Sequence, residues 1–425
     1  MKIKALIVTS TFALMACAPK ATESLWDIDF EETSNIQMLM LEDESFALVN
    51  LDQTEQNTRA TIYDTDGSVV AEKDLGDIGV YPMTTNVVTG KHYQVGINET
   101  DIRYTRFSSD LSVDWTWVTP RPDELDNQGA LSWYAPEGDF SIVSAGSTLY
   151  KIDGDGQLAS SISTDSDKNF SVLGIGMEGS VVTIRGDEVE TFDSNLELLS
   201  AFNIEGGQYR TTVYIDGVIY NNQQSVLSQY DVVTGNMNWS HTMPGYVYTL
   251  KTADDGAVYV DYVDSDSHKV SVSKISLSGD FQWTYNSSVA NAFASKISYL
   301  DVGEVIVSYT GASSERLVVG VADIVEDQAW IVNRTDYTIY HDVIDDAGIL
   351  KKQIIMDSYA KDVPDCSSWF CRETFVSNEG ATFTRKAFSV GDNVVLLSSI
   401  TGYTKIIKDY VFEKQTPDHT ELSVY

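Results

Sequence analysis

The sequence is short of the residues on which most catalysis and most helices depend. Among 425 residues there are 5 His, 3 Cys, 8 Pro and 28 Lys plus Arg, against 63 Asp plus Glu. The histidines, His92, His241, His268, His341 and His419, form no His-x-x-x-His or Glu-x-x-His pattern, so metal catalysis has no local motif to rest on. So few cations, with a formal net charge of −35, make nucleic acid and anionic headgroups poor partners for the surface. Three cysteines are too few for a disulfide-dense scaffold. Beyond residue 16 no apolar run approaches the roughly 18 residues of a membrane-spanning helix, and helical periodicity is nearly absent.

What remains is a chain with 43% hydrophobic and 11% aromatic residues, enough for a sizeable core and too apolar for global disorder. Its acidic residues are scattered in ones and twos, as in solvated turns, and not gathered into a tail.

The N-terminus has an address of its own. Lys2 and Lys4 precede an apolar stretch from Ala5 to Ala16 that is too short to cross a bilayer and suits a secretory signal. Leu14-Met15-Ala16-Cys17 resembles the bacterial lipobox, which implies lipidation at Cys17, removal of residues 1–16, and residues 17–25 as a short tether. Ala18 stands where Asp would favour retention in the inner membrane. The expectation is therefore a periplasm-facing outer-membrane lipoprotein. Cys366 and Cys371 remain. Five positions apart in an oxidising compartment, they are expected to form a disulfide within an insertion near 357–380; a zinc site would need more ligands than the local sequence offers.

Short alternating segments rich in Val, Ile, Thr, Tyr and Phe recur throughout, which makes the chain all-β. Tyr230–Trp239 and Lys274–Trp283 align directly, each with a turn Gly four residues before a Trp. Similar turns stand at Gly67, Leu111, Gly156, Asn195, Gly235, Gly279 and Glu326, spaced by 39 to 47 residues. A second ladder, at Asp43-Glu44, Gly90, Gly138, Gly179, Gly217, Gly256 and Gly303, runs out of phase with the first. Two hairpins per period predict the four-stranded blade of a β-propeller over 26–425, with eight blades favoured and seven or nine as alternatives. Trp115, Trp239, Trp283 and Trp330 are read as packing between blades, while Ala71, Ser160 and Leu199 take that place elsewhere. Trp26–Phe30 alternates as a strand should and is expected to complete the last blade from the N-terminal side.

Asp231-Val232-Val233-Thr234-Gly235, with Trp239 four residues after the Gly, resembles the repeat of quinoprotein-like propellers. Together with the lipobox, it makes the chain similar to the propeller lipoproteins of the outer-membrane β-barrel assembly machinery. The resemblance implies a non-catalytic scaffold that binds an envelope protein through one face of the ring. The quinone-dependent branch of that superfamily typically has an adjacent cysteine pair near the cofactor. This chain has none, and no cofactor or resident metal is expected.

Other chemistry has less to stand on. Asp153-Gly154-Asp155-Gly156 and Asp165-Ser166-Asp167 begin like calcium loops, but they have Leu158 and Phe170 where Gly is needed and no closing Glu. His341-Asp342 is read as an ordinary strand pair and not as part of a triad. Two alternatives to the scaffold are kept. One is a hydrolase or lactonase, which would require carboxylates and His converging on the central channel. The other is a glycan or small-ligand binder, for which Trp133 and Trp369 are the first candidates.

Overall fold

In a computed structural model, the described residues run from 26 to 424. Residues 1–25, 31–35, 42–44, 53–56, 65, 77–82, 87, 123–129, 136–138, 165–168, 177, 205–209, 254, 301–303, 321–328, 356–358, 365–374, 379–381, 391–392, 401–403, 408–409, 413–418 and 425 lie outside them. Cys17, Cys366, Cys371 and Trp369 are therefore outside the described residues.

All regular structure is β, and the sheets follow one another along the chain. Strand β1 (Trp26–Phe30) precedes sheet 1, made of β2 (Ile36–Met40), β3 (Phe46–Asp52), β4 (Asn57–Tyr63) and β5 (Val69–Gly76). Sheet 2 is β6 (Thr84–Asn86), β7 (Lys91–Ile97), β8 (Asp101–Phe107) and β9 (Val113–Pro120). Sheet 3 is β10 (Ala130–Tyr134), β11 (Phe140–Ala145), β12 (Thr148–Asp153) and β13 (Leu158–Ser163). Sheet 4 is β14 (Ser171–Ile175), β15 (Val181–Arg185), β16 (Glu188–Phe192) and β17 (Leu198–Asn203). Sheet 5 is β18 (Arg210–Ile215), β19 (Val218–Gln223), β20 (Val226–Asp231) and β21 (Met237–Thr242), and sheet 6 is β22 (Gly245–Thr252), β23 (Val258–Asp264), β24 (Lys269–Ile275) and β25 (Phe281–Ala290). Sheet 7 opens with β26 (Ala292–Leu300), β27 (Glu304–Gly320), β28 (Ala329–Ile344) and β29 (Leu350–Ile355), then takes up β30 (Tyr359–Pro364) and β31 (Phe375–Asn378). Strands β32 (Thr382–Val390) and β33 (Asn393–Ile400) follow; β34 (Thr404–Ile407) and β35 (Tyr410–Phe412) return to sheet 7, and β36 (His419–Val424) ends the chain.

The eighth sheet has the order β1-β36-β33-β32, so the strand from Trp26 to Phe30 is paired antiparallel with the last strand, as its alternation predicted. The chain is a single all-β propeller of four-stranded antiparallel blades. The favoured count of eight such blades is corrected: seven sheets are four-stranded, and sheet 7 has eight strands. The cause is the β27–β28 hairpin, whose strands run to 17 and 16 residues. Beyond the blade its β28 arm pairs with β30, and β30 with β31, so that Tyr359–Pro364 and Phe375–Asn378 of the window near 357–380 join the same sheet.

Neighbouring sheets share their cores. Each of six apolar clusters draws from two consecutive sheets; one joins Tyr220, Leu227 and Met243 of sheet 5 and its following loop to Val247, Val260 and Tyr262 of sheet 6. A middle strand is covered on both faces, which is why β11 is buried at all six positions while outer strands such as β13 alternate.

The third-to-fourth-strand turns explain the first ladder. At Asp64–Ser68, Asp153–Gln157 and Asp345–Ile349, the residue before the last donates its N–H to the first carbonyl, and the fourth residue has positive φ. This is a type I turn closed by a left-handed residue, a common three-residue hairpin loop. Gly67, Gly156, Gly279 and Gly348 take that position, but so do Leu111 (φ 65°) and Leu196 (φ 66°), both buried. Asp153 explains its own carboxylate: Oδ1 accepts from the N–H groups of Asp155 and Gln157, so it builds a turn.

After each turn the register shifts by one residue, at Tyr63, Phe107, Ile152, Phe192, Tyr230, Ile275 and Ile344. The outer strand is thus bulged in all seven of these sheets. The structural column four residues beyond the left-handed position is Ala71, Trp115, Ser160, Ser200, Trp239, Trp283 and Lys352. Two sequence assignments change accordingly. Leu199 is the exposed bulge residue and Ser200 holds the packing place, because the left-handed residue is Leu196 and not Asn195. Trp330 lies in β28 opposite Val319, in the extended hairpin and not on an outer strand; the turn of sheet 7 is at Gly348.

Candidate functional site

Two regions of the ring offer surface for function: the rim carrying the outer-strand turns of sheets 5 to 7, and the innermost strands around the axis.

At the rim, each Trp of the column reaches the next sheet. The Trp115 indole donates to the Gly154 carbonyl (3.0 Å), Trp239 to Leu277 (3.2 Å) and Trp283 to Asp346 (2.7 Å). Each ring lies against the left-handed Gly of that neighbouring turn, where a Cβ would come within 2.7 to 2.8 Å of Trp115, Trp239 or Trp283. Phe202 plays the same part at Gly235. A bulge aims the ring, and a glycine leaves room for it.

Lys274, almost fully buried at its side chain, ties the outer-strand turn of sheet 7 to the β22–β23 turn of sheet 6. Its ammonium lies 2.9 Å from Asp255 Oδ2 and 2.5 Å from Asp346 Oδ1, over the ring of Tyr259. These carboxylates outweigh the effect of burial and hold the lysine above its ordinary pKa. Around this anchor the rim is apolar: Val233, Met237, Leu277, Phe281, Ile349 and Leu350 are between 39% and 70% exposed. Asp255, Ala257, Ser276, Leu277, Ser278 and Gln282 line a shallow open depression of about 520 Å³. On the outer strands nearby, the rings of Trp239, His241 and Phe281 pack in sequence at 5.0 Å centroid spacing.

The His341-Asp342 pair sits elsewhere and is wholly buried. Asp342 Oδ2 accepts from the hydroxyls of Tyr285 and Tyr309, each at 2.7 Å, and Oδ1 accepts from Gln353 Nε2 at 2.8 Å. Burial raises the Asp342 pKa and pushes His341 down to about 3. His341 Nδ1 pairs with Ser308 Oγ at 2.8 Å. With no solvent exposure this is a core network, and it gives a substrate no approach. Trp133 is half-buried and packs on the cluster between sheets 3 and 4.

Contacts between sheets place β10, β14, β18, β22, β26 and β32 innermost, with β2 and β6 in the equivalent place in their sheets. These eight strands carry Arg210, Lys251, Lys296, Arg385 and Lys386 but no Asp, Glu or His. The carboxylate and histidine cluster that a hydrolase or lactonase would require has no place on them. Among the described residues there is also no group of three or more His, Cys, Asp or Glu able to hold a metal ion, and no helix long and apolar enough to cross a membrane.

The channel charges escaped the sequence reading because nothing in one dimension marks a strand as innermost. The rim was partly visible in its turns and Trp residues.

No protein-family model matches the chain, and no curated protein is similar to it in sequence. Solved structures are similar in shape. Dihydro-heme d1 dehydrogenase NirN in complex with DHE aligns over 96% of this chain and 82% of its own, at 11% identity and a TM-score of 0.48. The computationally designed Ika8 protein aligns over 80% and 95%, at 14% identity and 0.44. The β-propeller domain of Cps50 (Swd1) from Myceliophteria thermophila aligns over 80% and 95%, at 8% identity and 0.43.

Proposed function

We propose that the chain is a non-catalytic envelope scaffold, lipid-anchored through Cys17, that binds a protein partner at the rim of sheets 5 to 7. The observation that carries this reading is the run of six exposed large apolar residues on three consecutive sheets, Val233, Met237, Leu277, Phe281, Ile349 and Leu350. Scattered exposed apolar residues are ordinary, and Val69, Val113, Leu158 and Leu198 are exposed on sheets 1 to 4, but on sheets 5 to 7 the apolar residues adjoin a depression lined by Leu277 and Asp255, which has the composition of a docking site. Asp255 and Asp346 at its edge suit a partner that presents an apolar anchor beside basic residues. A short tether of residues 17–25 keeps the ring near the outer membrane, so the partner is membrane-proximal. Kinship with the lipoproteins of the β-barrel assembly machinery belongs to this proposal.

The test is a photo-crosslinking residue at Phe281 in the exported protein, with one at Val113 on a distant sheet as reference. A discrete envelope-protein adduct from position 281, weakened by Leu277→Asp, is expected. Equal or absent adducts at both positions would reject the rim. The lipid is tested separately: mass spectrometry of the N-terminal peptide should show an acylated Cys17, and Cys17→Ser should release the protein from membranes.

A further inference from the structure

A chain with 63 acidic and 28 basic residues would be expected to pair its cations wherever it can. It does so around the ring: Lys73 with Asp110, Lys91 with Asp114, Arg185 with Glu190, Lys274 with Asp255 and Asp346, and Lys351 with Glu304. Lys251 and Lys296 are different. They stand on β22 and β26, innermost strands of consecutive sheets that contact each other, and both side chains are exposed there. Among the described residues neither has an ion pair or hydrogen bond.

The backbone is shaped to bring one of these lysines to the axis. On β22 the pairing with β23 shifts between Val247 and Thr249, which makes Tyr248 a bulge residue. Strict alternation would put Lys251 on the side of buried Val247; the bulge moves it to the side of exposed Tyr246. Asp261, fully buried on β23, holds this bulge by accepting the Thr249 N–H at 2.6 Å. On β26 the register also shifts just before Lys296. The next innermost strand, β32, shifts just before Lys386, with Arg385 at the irregular place. Three consecutive innermost strands therefore each shift register ahead of a lysine, three residues before it on β22 and directly before it on β26 and β32.

We propose that the axial channel beside sheets 6 and 7 binds a small anion, a phosphate or carboxylate compound, between Lys251 and Lys296. The surrounding innermost strands carry no carboxylate to compete for the two ammonium groups, and the phenol rings of Tyr246 and Tyr248, packed edge to face at 5.2 Å, flank the same side of β22. Like charges brought together without a counter-ion cost free energy that a bound anion recovers. In keeping with this, the surrounding protein and the charge of Lys296 hold the Lys251 ammonium below the usual lysine pKa.

The test is calorimetric titration of the full chain in low-salt, phosphate-free buffer with inorganic phosphate, pyrophosphate and citrate. Saturable binding of at least one probe is expected, weakened roughly ten-fold or more by Lys251→Gln or Lys296→Gln and unchanged by Lys73→Gln. Binding that survives in the double Lys251→Gln, Lys296→Gln variant would overturn the proposal, as would failure of all three probes. A second readout does not depend on the variants. In NMR of the reductively methylated protein, one lysine should titrate below the rest and move upward when the probe is added. An unshifted Lys251 resonance would also overturn it. Loss of the rim partner leaves these results untouched, so the two proposals fail separately.

Discussion

Trp283 donates its indole N–H to the carbonyl of Asp346, 63 residues further along, and its ring lies where Gly348 would otherwise place a Cβ. Two neighbouring sheets are joined by one ring against one missing side chain. Gly348→Ala should therefore cost more than its backbone conformation alone, because φ is +79° and the new Cβ would come within 2.7 Å of the ring. Gly217, at φ +83° with nothing within 4 Å of the added carbon, isolates the backbone cost. Chemical denaturation should show about 1 kcal/mol lost for Gly217→Ala and about 2 to 4 kcal/mol for Gly348→Ala.

The Tyr309 hydroxyl is one of two phenols donating to the buried carboxylate of Asp342. Tyr309→Phe removes a donor without changing the packing, leaving a buried charged group less satisfied. A loss of about 1.5 to 3 kcal/mol is expected from urea midpoints, with a further rise in the Asp342 pKa. Wild-type stability in Tyr309→Phe would mean that water replaces the phenol.

Two buried groups impose opposite pH dependences. Burial raises Asp261 from 3.8 to about 6, so the folded state holds its proton where the unfolded state has lost it. The penalty is absent below about 4, grows as pH rises to about 6 and is complete above that. His341, lowered from 6.5 to about 3, does the reverse: stability is full above about 6.5 and falls as acid protonates the unfolded imidazole first. Asp261→Asn, which keeps an acceptor for Thr249, should raise stability at pH 7 by up to about 3 kcal/mol and remove the rising penalty between pH 4 and 6. His341→Gln should flatten the acid limb between pH 6.5 and 3. Thermal unfolding across that range reads both.

The ring was legible in the sequence wherever a turn announces itself by composition. Thr211–Ile215, the turn at Asp216-Gly217, Val218–Tyr220, Val226–Tyr230 and the strand bearing Trp239 were all visible in one period, and they are strands β18 to β21. The phase slipped by one residue at Leu196, though not at Leu111. Leu196 is buried, so packing outweighs its backbone preference and no glycine marks the place. Past residue 300 a long hairpin delayed the expected turn to Gly348, and the Trp nearest the expected spacing, Trp330, belongs to that hairpin. Bulges on innermost strands leave no compositional trace at all, so Lys251 and Lys296 read as two lysines 45 positions apart.

The pairing of Trp26 with Val424 and of Phe30 with Thr420 makes one sheet from the two extremes of the chain. Its closure spans nearly 400 residues of loop, the most entropically demanding contact in the molecule. During synthesis the earlier sheets can assemble in order, but the circle stays open, with edges unpaired, until residues 419–424 arrive. Arrival of that last segment works as a proofreading step: a chain cut short at its C-terminus would keep most of its sheets and still fail to lock.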